Sequence, residues 1–301
     1  MAERTLYVCC PSYALQNPLE RRDYATRARA FARRMHLRPV FSPLLDRHLP
    51  RGTWLDADAR RDDLLEAIRH DVVWACQGGY GCVHLIPALL SASAPHRPRL
   101  IGYSDITILH ACWRLQRWGE GYYGQIPHEL GDGRQAGTLR PLFQGRSLRR
   151  TNATDAAVTV LRPGRAEGVC FAACLAVLAG LAGTPALPDL RGSVLAIEDI
   201  DEKPYQVDFA MAQLHAAGAL DGIVALVGGS FSHQAPLDYG GPGIDHVLQG
   251  WADRLGVPAI ARLPFGHLPD SLVLCNGRRL RLEAEADGAW SLTFAARASK
   301  P

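Results

Sequence analysis

Short apolar runs alternate with amphipathic stretches through the first half of the chain, and this alternation constrains the fold more than any other feature. We predict strands at 6–10, 72–76 and 100–103. Between them, the apolar residues of 60–70 and of 105–118 recur at helical spacing. Strands that alternate with helices indicate βαβ units, so we expect a mostly parallel sheet with flanking helices.

The second half repeats this pattern and then changes at its end. A helix is predicted at 208–217, and strands at 193–197, 223–227 and 259–263. Residues 279–283 and 290–294 flank an Ala-Asp-Gly turn, which indicates an antiparallel hairpin. The predicted fold class is α/β, with an N-terminal mostly parallel sheet domain, flanking helices, and a C-terminal α/β domain that ends in a hairpin.

Two long segments mark the middle of the chain. The regular spacing of apolar residues disappears from about 131 to 168, which is typical of a linker. We therefore place an N-terminal domain at 1–140, a linker at 141–167 and a C-terminal domain at 168–301. The longest apolar segment, 169–183, is shorter than the roughly 20 residues that span a bilayer. We interpret it as a buried helix.

Composition narrows the class of protein. With 301 residues, 48% of them hydrophobic, the chain can bury a core without disulfides or metals. The 33 basic and 30 acidic residues are too balanced to favour nucleic-acid binding. Cys9 and Cys10 are adjacent and no C-x-x-C occurs, so we expect the eight cysteines to be reduced and mostly buried. The first residues lack a secretory signal, which predicts a cytoplasmic protein.

Ser104 stands where a predicted strand runs into a predicted helix. A serine there can present its hydroxyl at the carboxyl edge of a parallel sheet, with the backbone N–H of Asp105 facing a developing oxyanion. The same serine could instead only cap the helix, which requires no catalysis. This segment therefore leaves both roles open.

A glycine-rich loop with the sequence QGGYG occupies 77–81, directly after the strand predicted at 72–76. Its three glycines let the backbone approach a ligand closely, so the loop could bind a phosphate or an oxyanion. It lacks the Lys-Ser/Thr pair of a P-loop and the spacing of a dinucleotide fingerprint. A tight turn without a binding role also stays open.

Acidic side chains and a histidine follow two strands of the second half, where open α/β sheets hold their sites. His267 follows the strand at 259–263. Four acids come just past the strand at 193–197: Glu198, Asp199, Asp201 and Glu202. The acids could bind a divalent cation, orient a histidine or remain solvated, and a lone histidine could be structural.

A serine, an acid and a histidine each lie at the end of a predicted strand, in the chain order Ser104, Glu198, His267. Acyl transfer needs a serine nucleophile, a histidine that takes its proton and an acid that orients the histidine. Their coincidence favours a serine hydrolase.

These features resemble the LD-carboxypeptidase family of serine peptidases, which includes muramoyl-tetrapeptide carboxypeptidases and microcin-immunity peptidases. The similarity covers nearly the whole chain. The segments that carry it are Pro11-Ser12, 78–81, 102–107, 181–185, Ile197-Glu198-Asp199 with Glu202, Pro204 and Tyr205, and Gly266-His267.

The resemblance implies a site in the cleft between the two domains. It implies Ser104 as the nucleophile, Glu198 as the orienting acid and His267 as the general base. We choose Glu198 over Glu202 because Glu198 directly ends its strand. The backbone N–H groups of Asp105 and Gly79 would form the oxyanion hole.

The resemblance also implies the substrate and the partners. The family removes the terminal D-alanine from a cytoplasmic murein tetrapeptide, with no metal and no organic cofactor, so we expect activity that a chelator leaves unchanged. We expect Gly78, Tyr80 and Gln77 to bind the peptide. We further expect a homodimer with no nucleic-acid and no membrane partner.

Several positions depart from the family pattern. Gln77 replaces an Arg, Ala172-Ala173-Cys174 replace Gly-Gly-Asn, 123–127 (YGQIP) replace His-Gly-Pro, and Asp208-Phe209 replace Asp-Arg. The triad candidates are retained, so these changes bear on the substrate more than on the reaction. A hydrolase of another small amide, such as a peptide-nucleotide, and a non-catalytic binding protein on the same scaffold stay open as alternatives.

Overall fold

Two β-sheets with packed helices organise the chain, and the computed structural model describes residues 3–128, 133–232 and 239–298. The first sheet contains β1 (Thr5–Cys9), β2 (Arg38–Phe41), β3 (Val72–Ala75), β4 (Arg99–Gly102), β5 (Gly121–Tyr123) and β12 (Leu274–Asn276). Their order is β12-β5-β4-β3-β1-β2. Strands β1 to β5 run parallel, and β12 pairs with β5 in the antiparallel sense.

The second sheet contains β6 (Leu148–Thr151), β7 (Thr159–Arg162), β8 (Gly164–Cys174), β9 (Ser193–Ile200), β10 (Ala225–Ser232), β11 (Ala259–Ala261), β13 (Arg279–Ala284) and β14 (Trp290–Phe294). Their order is β6-β14-β13-β8-β9-β10-β11-β7. The central strands β8 to β11 are parallel, and the outer pairings are antiparallel. The expected α/β class, the mostly parallel first sheet and the terminal hairpin of β13 and β14 are confirmed.

The helices are α1 (Pro18–Met35), α2 (Ala57–Ala67), α3 (Ile86–Ser91), α4 (Thr107–Leu115), α5 (Arg134–Phe143), α6 (Leu175–Ala179), α7 (Pro204–Ala216) and α8 (Ile244–Leu255). Helix α1 begins at Asn17, whose side chain accepts hydrogen bonds from the N–H groups of Leu19 and Glu20. Within the described ranges, no helix has the length and hydrophobicity that crossing a membrane requires.

Both faces of the first sheet are buried. Leu6 and Val8 of β1 pack on the side of α1, and Tyr7 and Cys9 pack on the side of α2 and α4. Successive side chains of a strand point to opposite faces, so a strand covered on both faces is apolar throughout. All eight cysteines are buried and unpaired, as expected.

The apolar segment 169–183 was predicted as one buried helix, and this prediction is wrong. Strand β8 continues to Cys174, and only the five residues of α6 are helical. A central parallel strand is buried on both faces, so its sequence is a continuous apolar run that resembles a buried helix. The altered triplet 172–174 therefore lies at the end of a strand and not on a helix.

The segment 141–167, expected to be an irregular linker, contains β6, β7 and the beginning of β8. The side chains of β6 and β7 are mostly half-buried, and both strands lie at the edges of the second sheet. Edge strands with little burial lack the apolar alternation that identifies a strand. The domain boundaries themselves stay a prediction.

Candidate active site

Ser104 lies two residues beyond the end of β4 and has a left-handed backbone conformation, with φ of 66°. Residues 104–106 form a short 3₁₀ turn that leads into α4. This conformation is unfavourable for a residue other than glycine and concentrates at functional sites. Neither the turn nor α4 has a side-chain cap, so the structure does not support the alternative in which Ser104 only caps the helix.

Ser104, His267 and Glu198 form one hydrogen-bonded row. Ser104 Oγ lies 3.0 Å from His267 Nε2, and His267 Nδ1 lies 2.8 Å from Glu198 Oε2. The backbone N–H of His267 also donates to Glu198 Oε2, at 3.2 Å. The Glu198 side chain is fully buried and the His267 side chain is 15% exposed. The structure therefore brings together the three residues that the sequence placed at separate strand ends.

Gly266 lets this row form. Its φ is +107°, and a Cβ on this residue would lie 2.3 Å from Glu198 Oε2. Any side chain here would displace the carboxylate or bend the turn. A glycine before His267 is thus required by the close approach of the chain to Glu198.

The environment of His267 favours its protonated form. Burial acts to lower the pKa of His267, but the hydrogen bond and charge of Glu198, with the charges of Asp199 and Asp201, outweigh it and raise the pKa above the ordinary 6.5. The ring of Tyr103 packs beside it, with centroids 5.0 Å apart. His267 is therefore suited to accept a proton from a neighbouring hydroxyl.

Tyr123 connects the serine turn to Glu198, and sequence analysis missed this role. Its hydroxyl donates to Glu198 Oε1 at 2.6 Å and accepts the backbone N–H of Ser104 at 3.2 Å. Strand pairing places Tyr123 opposite Gly102, at the end of β4. The only sequence signal was its position in the altered segment 123–127.

The glycine-rich loop packs against the serine. A Cβ on Gly78 would lie 3.1 Å from that of Ser104, and Gly79 has φ of +120° with the ring of Tyr13 in the position of its missing side chain. Within the part of the chain that the structure describes, the N–H of Gly79 donates to no acceptor. The backbone of the loop thus comes close to Ser104 with a free donor.

Asp105 joins this loop to the serine turn. Its buried carboxylate accepts hydrogen bonds from the hydroxyl of Ser12 at 2.6 Å and from the backbone N–H of Cys82 at 3.0 Å. Ser12 follows β1, and Cys82 follows the glycine-rich loop after β3. One carboxylate therefore fixes the turns that follow three neighbouring strands.

Gln77 and Tyr80 are the two residues of the glycine-rich loop that carry side chains. Gln77 Oε1 accepts a hydrogen bond from the hydroxyl of Tyr24 at 2.8 Å, which leaves its amide N–H₂ group as a donor. Tyr80 is 41% exposed and meets the ring of Trp54 edge-on at 4.9 Å. Trp54 and Tyr13, which stack at 6.2 Å, extend this aromatic surface and were missed because no periodic pattern marks their loops.

The four acids, two within β9 and two after it, do not act together. Glu198 faces His267, whereas Asp199 accepts hydrogen bonds from the N–H of Ala176 at 2.7 Å and from the thiol of Cys174 at 3.3 Å. Burial raises the pKa of Asp199 to about 6. Over 3–128, 133–232 and 239–298, the structure shows no group of three or more His, Cys, Asp or Glu residues placed to hold a metal ion. The cation-binding alternative for the acids thus has no ligand set in these ranges.

Comparison with known proteins decides the family. Residues 6–124 match the LD-carboxypeptidase N-terminal domain, and residues 167–282 match the LD-carboxypeptidase C-terminal domain. The chain belongs to the LD-carboxypeptidase family. It is therefore a hydrolase of the serine carboxypeptidase type.

Relatives of this LD-carboxypeptidase cover most of its length. A Streptomyces coelicolor protein is 33% identical over 261 residues, which is 83% of this chain and 82% of that protein. The murein tetrapeptide carboxypeptidase of Pseudomonas aeruginosa is 31% identical over 216 residues, 65% of this chain and 66% of that enzyme. The crystal structure of muramoyltetrapeptide carboxypeptidase from Oxalobacter formigenes matches with a TM-score of 0.78 at 24% identity, over 97% of this chain and 100% of that one.

Proposed function

We propose that this LD-carboxypeptidase removes the C-terminal D-amino acid from a murein tetrapeptide and leaves the tripeptide. The observation that carries the proposal is the row from Ser104 Oγ through His267 to Glu198, at 3.0 and 2.8 Å. The name of the Pseudomonas aeruginosa relative supports the substrate. Gln77, Gly78 and Tyr80 would bind the peptide beside the serine.

The proposed reaction is acyl transfer in two steps. Ser104 Oγ attacks the carbonyl carbon before the D-residue, and His267 Nε2 takes the hydroxyl proton. His267 then gives this proton to the leaving amine, and the C–N bond breaks. His267 then deprotonates a water molecule, which attacks the carbonyl carbon of the acyl-serine ester. The bond from this carbon to Ser104 Oγ breaks, His267 returns the proton to Oγ, and the tripeptide leaves with a new carboxyl group.

Two further groups would lower the barrier. The N–H groups of Asp105 and Gly79 would donate to the oxygen that becomes negative in the tetrahedral intermediate, and such donors contribute most where water is excluded. Glu198 would hold the imidazole with Nε2 toward Ser104 and stabilise the imidazolium. Its complete burial supports this role, since a fixed carboxylate keeps the ring in one orientation.

We also propose that the protein is a cytoplasmic homodimer. Eight buried, unpaired cysteines suit a reducing compartment. Tyr205 and Phe209, 53% and 70% exposed on α7, provide apolar area for a second copy. Sedimentation of the wild type against Phe209→Lys tests this assembly: a dimer weakened by the substitution supports it, and a monomeric wild type contradicts it.

Product mass spectrometry on a panel of amides tests the substrate. The panel contains murein tetrapeptide, its epimer with an L-residue at the C-terminus, its C-terminal amide, and a peptide-nucleotide conjugate. We expect the tripeptide and free D-amino acid from the first compound and no cleavage of the epimer.

The outcomes separate the alternatives. If the protein cleaves only the peptide-nucleotide, its substrate is another small amide and not the murein tetrapeptide. No cleavage of any compound by a folded protein would contradict a peptidase and favour a binding protein on this scaffold.

A further inference from the structure

A cavity lies at the opposite end of the first sheet from Ser104. It has a volume of about 840 Å³, and its wall includes Val72 and Gly121, the first residues of β3 and β5. Ser104 lies two residues beyond the end of β4, so at about 3.3 Å per residue the cavity wall at Arg99, the first residue of β4, lies about 16 Å away. Phe171 of β8 closes the cavity from the second sheet. This cavity is separate from the site already described.

The charge of this cavity is strongly positive. Its wall carries two carboxylates, Asp71 and Glu120, and six arginines: Arg4, Arg97, Arg99, Arg114, Arg117 and Arg297. This is a formal excess of four positive charges, whereas the whole chain carries only +3. The remainder of the protein thus has a formal net charge of −1, so the net positive charge of the whole protein comes from this cavity.

The carboxylates of the wall do not neutralise most of these arginines. Glu120 pairs with Arg297 and with Arg278 outside the wall, and Asp71 accepts the backbone N–H of Thr5. In the three described ranges, the other five arginines of the wall form no ion pair. Burial lowers the pKa of Arg99, and the charges of Arg297 and Arg4 also lower it, whereas Tyr122 and Glu120 act in the opposite direction. Arg4, Arg99 and Arg297 are therefore close enough to repel one another.

These arginines also keep free donors. A guanidinium has five N–H donors. Arg97 donates to the carbonyls of Arg117 and Trp118, Arg99 to that of Phe143, and Arg114 to the hydroxyl of Ser193. Arg117 itself is exposed and donates no side-chain hydrogen bond in the described structure. These contacts orient the guanidinium groups and leave several N–H groups unused.

From the cavity, its charge and its free donors, we propose a binding site for a small polyanion, a molecule with several phosphate or carboxylate groups. Guanidinium forks match both groups in bidentate geometry. The volume suits a small organic molecule rather than a macromolecule. Trp113, Trp118 and Phe171 supply apolar wall for the remainder of such a molecule. Bound anions would relieve the repulsion among the arginines.

Isothermal titration calorimetry with inorganic tripolyphosphate and with citrate at physiological salt tests this site. We expect saturable binding of at least one of them, together with a rise in Tm. The variant Arg4→Gln/Arg117→Gln removes two exposed arginines of the wall, and we expect it to weaken binding by roughly tenfold to a hundredfold. The matched control is Arg51→Gln/Arg149→Gln, which removes the same charge from exposed positions outside the cavity.

The two anions distinguish the chemistry. Tighter binding of tripolyphosphate assigns the site to phosphates, and tighter binding of citrate assigns it to carboxylates. Absence of saturable binding of both anions to the wild type overturns the proposal. Equal weakening in the two double variants also overturns it, because only net charge would then matter. Peptidase activity is independent of either result.

Discussion

At the scale of single residues, the protonation state of His267 controls the proposed chemistry. As a base it must be neutral, so kcat/KM falls as pH drops below its pKa, which lies above 6.5 in this site. In Glu198→Gln the carboxylate no longer raises the pKa of His267, whereas burial still lowers it. We therefore expect the acid limb of the kcat/KM profile to move to lower pH, with a smaller loss of kcat than Ser104→Ala causes. An unshifted limb would show that another group is titrating.

Tyr123→Phe provides the opposite shift. The substitution removes a donor from Glu198 and an acceptor from the Ser104 N–H. Glu198 then keeps more negative charge for His267, so we expect the acid limb to move to higher pH and kcat/KM to fall roughly tenfold to a hundredfold. The control is Tyr122→Phe, whose buried hydroxyl donates instead to Glu120. Equal effects in both variants would indicate loss of packing alone.

Gln77 tests recognition of the peptide terminus. A neutral amide donates weaker hydrogen bonds to a carboxylate than a charged guanidinium does. We expect weak turnover of tetrapeptide by the wild type and about tenfold higher kcat/KM for Gln77→Arg on the acid relative to its C-terminal amide. Steady-state kinetics on both compounds measure this ratio. An equal ratio in wild type and Gln77→Arg would contradict a role of residue 77 in binding the terminal carboxylate.

Individual residues differed in how far the sequence could predict them. Glu198, near the end of β9, and His267, after β11, come from one edge of the second sheet, so the sequence could predict their proximity. Ser104 comes after β4 of the first sheet, and its place beside them was implied by the family resemblance. Tyr123 contacts Glu198 across 75 positions, and Tyr13 fills the space beside Gly79. Such contacts depend on the relative placement of distant segments, which periodicity does not encode.

At the scale of elements, Asp199 links the end of β9 to the start of α6. Its pKa of about 6 in the folded protein exceeds the 3.8 expected when unfolded, so the unfolded chain releases its proton first. Protonated Asp199 therefore stabilises the folded protein fully below about pH 4. As pH rises from 4 through 6 this stabilisation is lost, and the free energy of unfolding falls by about 3 kcal/mol. Urea unfolding of wild type and Asp199→Asn from pH 4 to 7 measures it. The free-energy difference between the two should change with pH by this amount, and parallel curves would contradict the burial argument.

Elements with clear periodicity were predictable, and β8 was not. Strands β1, β3, β4, β9 and β11 lie within two or three residues of the predicted ranges. In β8, burial on both faces removes the alternation that separates a strand from a helix. The edge strands β6 and β7 were missed for the opposite reason, since they bury too little.

At the scale of the whole molecule, the two sheets contribute different parts of one site. The first sheet supplies Ser104 and the glycine-rich loop, and the second supplies Glu198 and His267. The chain also returns from the second half to add β12 to the first sheet. The alternation of strands and helices predicted two α/β domains. Only the structure shows that β12, from the second half of the chain, pairs with β5 of the first sheet.

The most direct test of the account is the release of D-alanine from murein tetrapeptide by wild type, Ser104→Ala, His267→Ala and the double variant. Because the serine and histidine act as a unit, each single variant should lose roughly four or more orders of magnitude in kcat, and the double variant little more. Unchanged Tm values would exclude unfolding as the cause. Wild-type turnover by folded Ser104→Ala would contradict the serine mechanism outright.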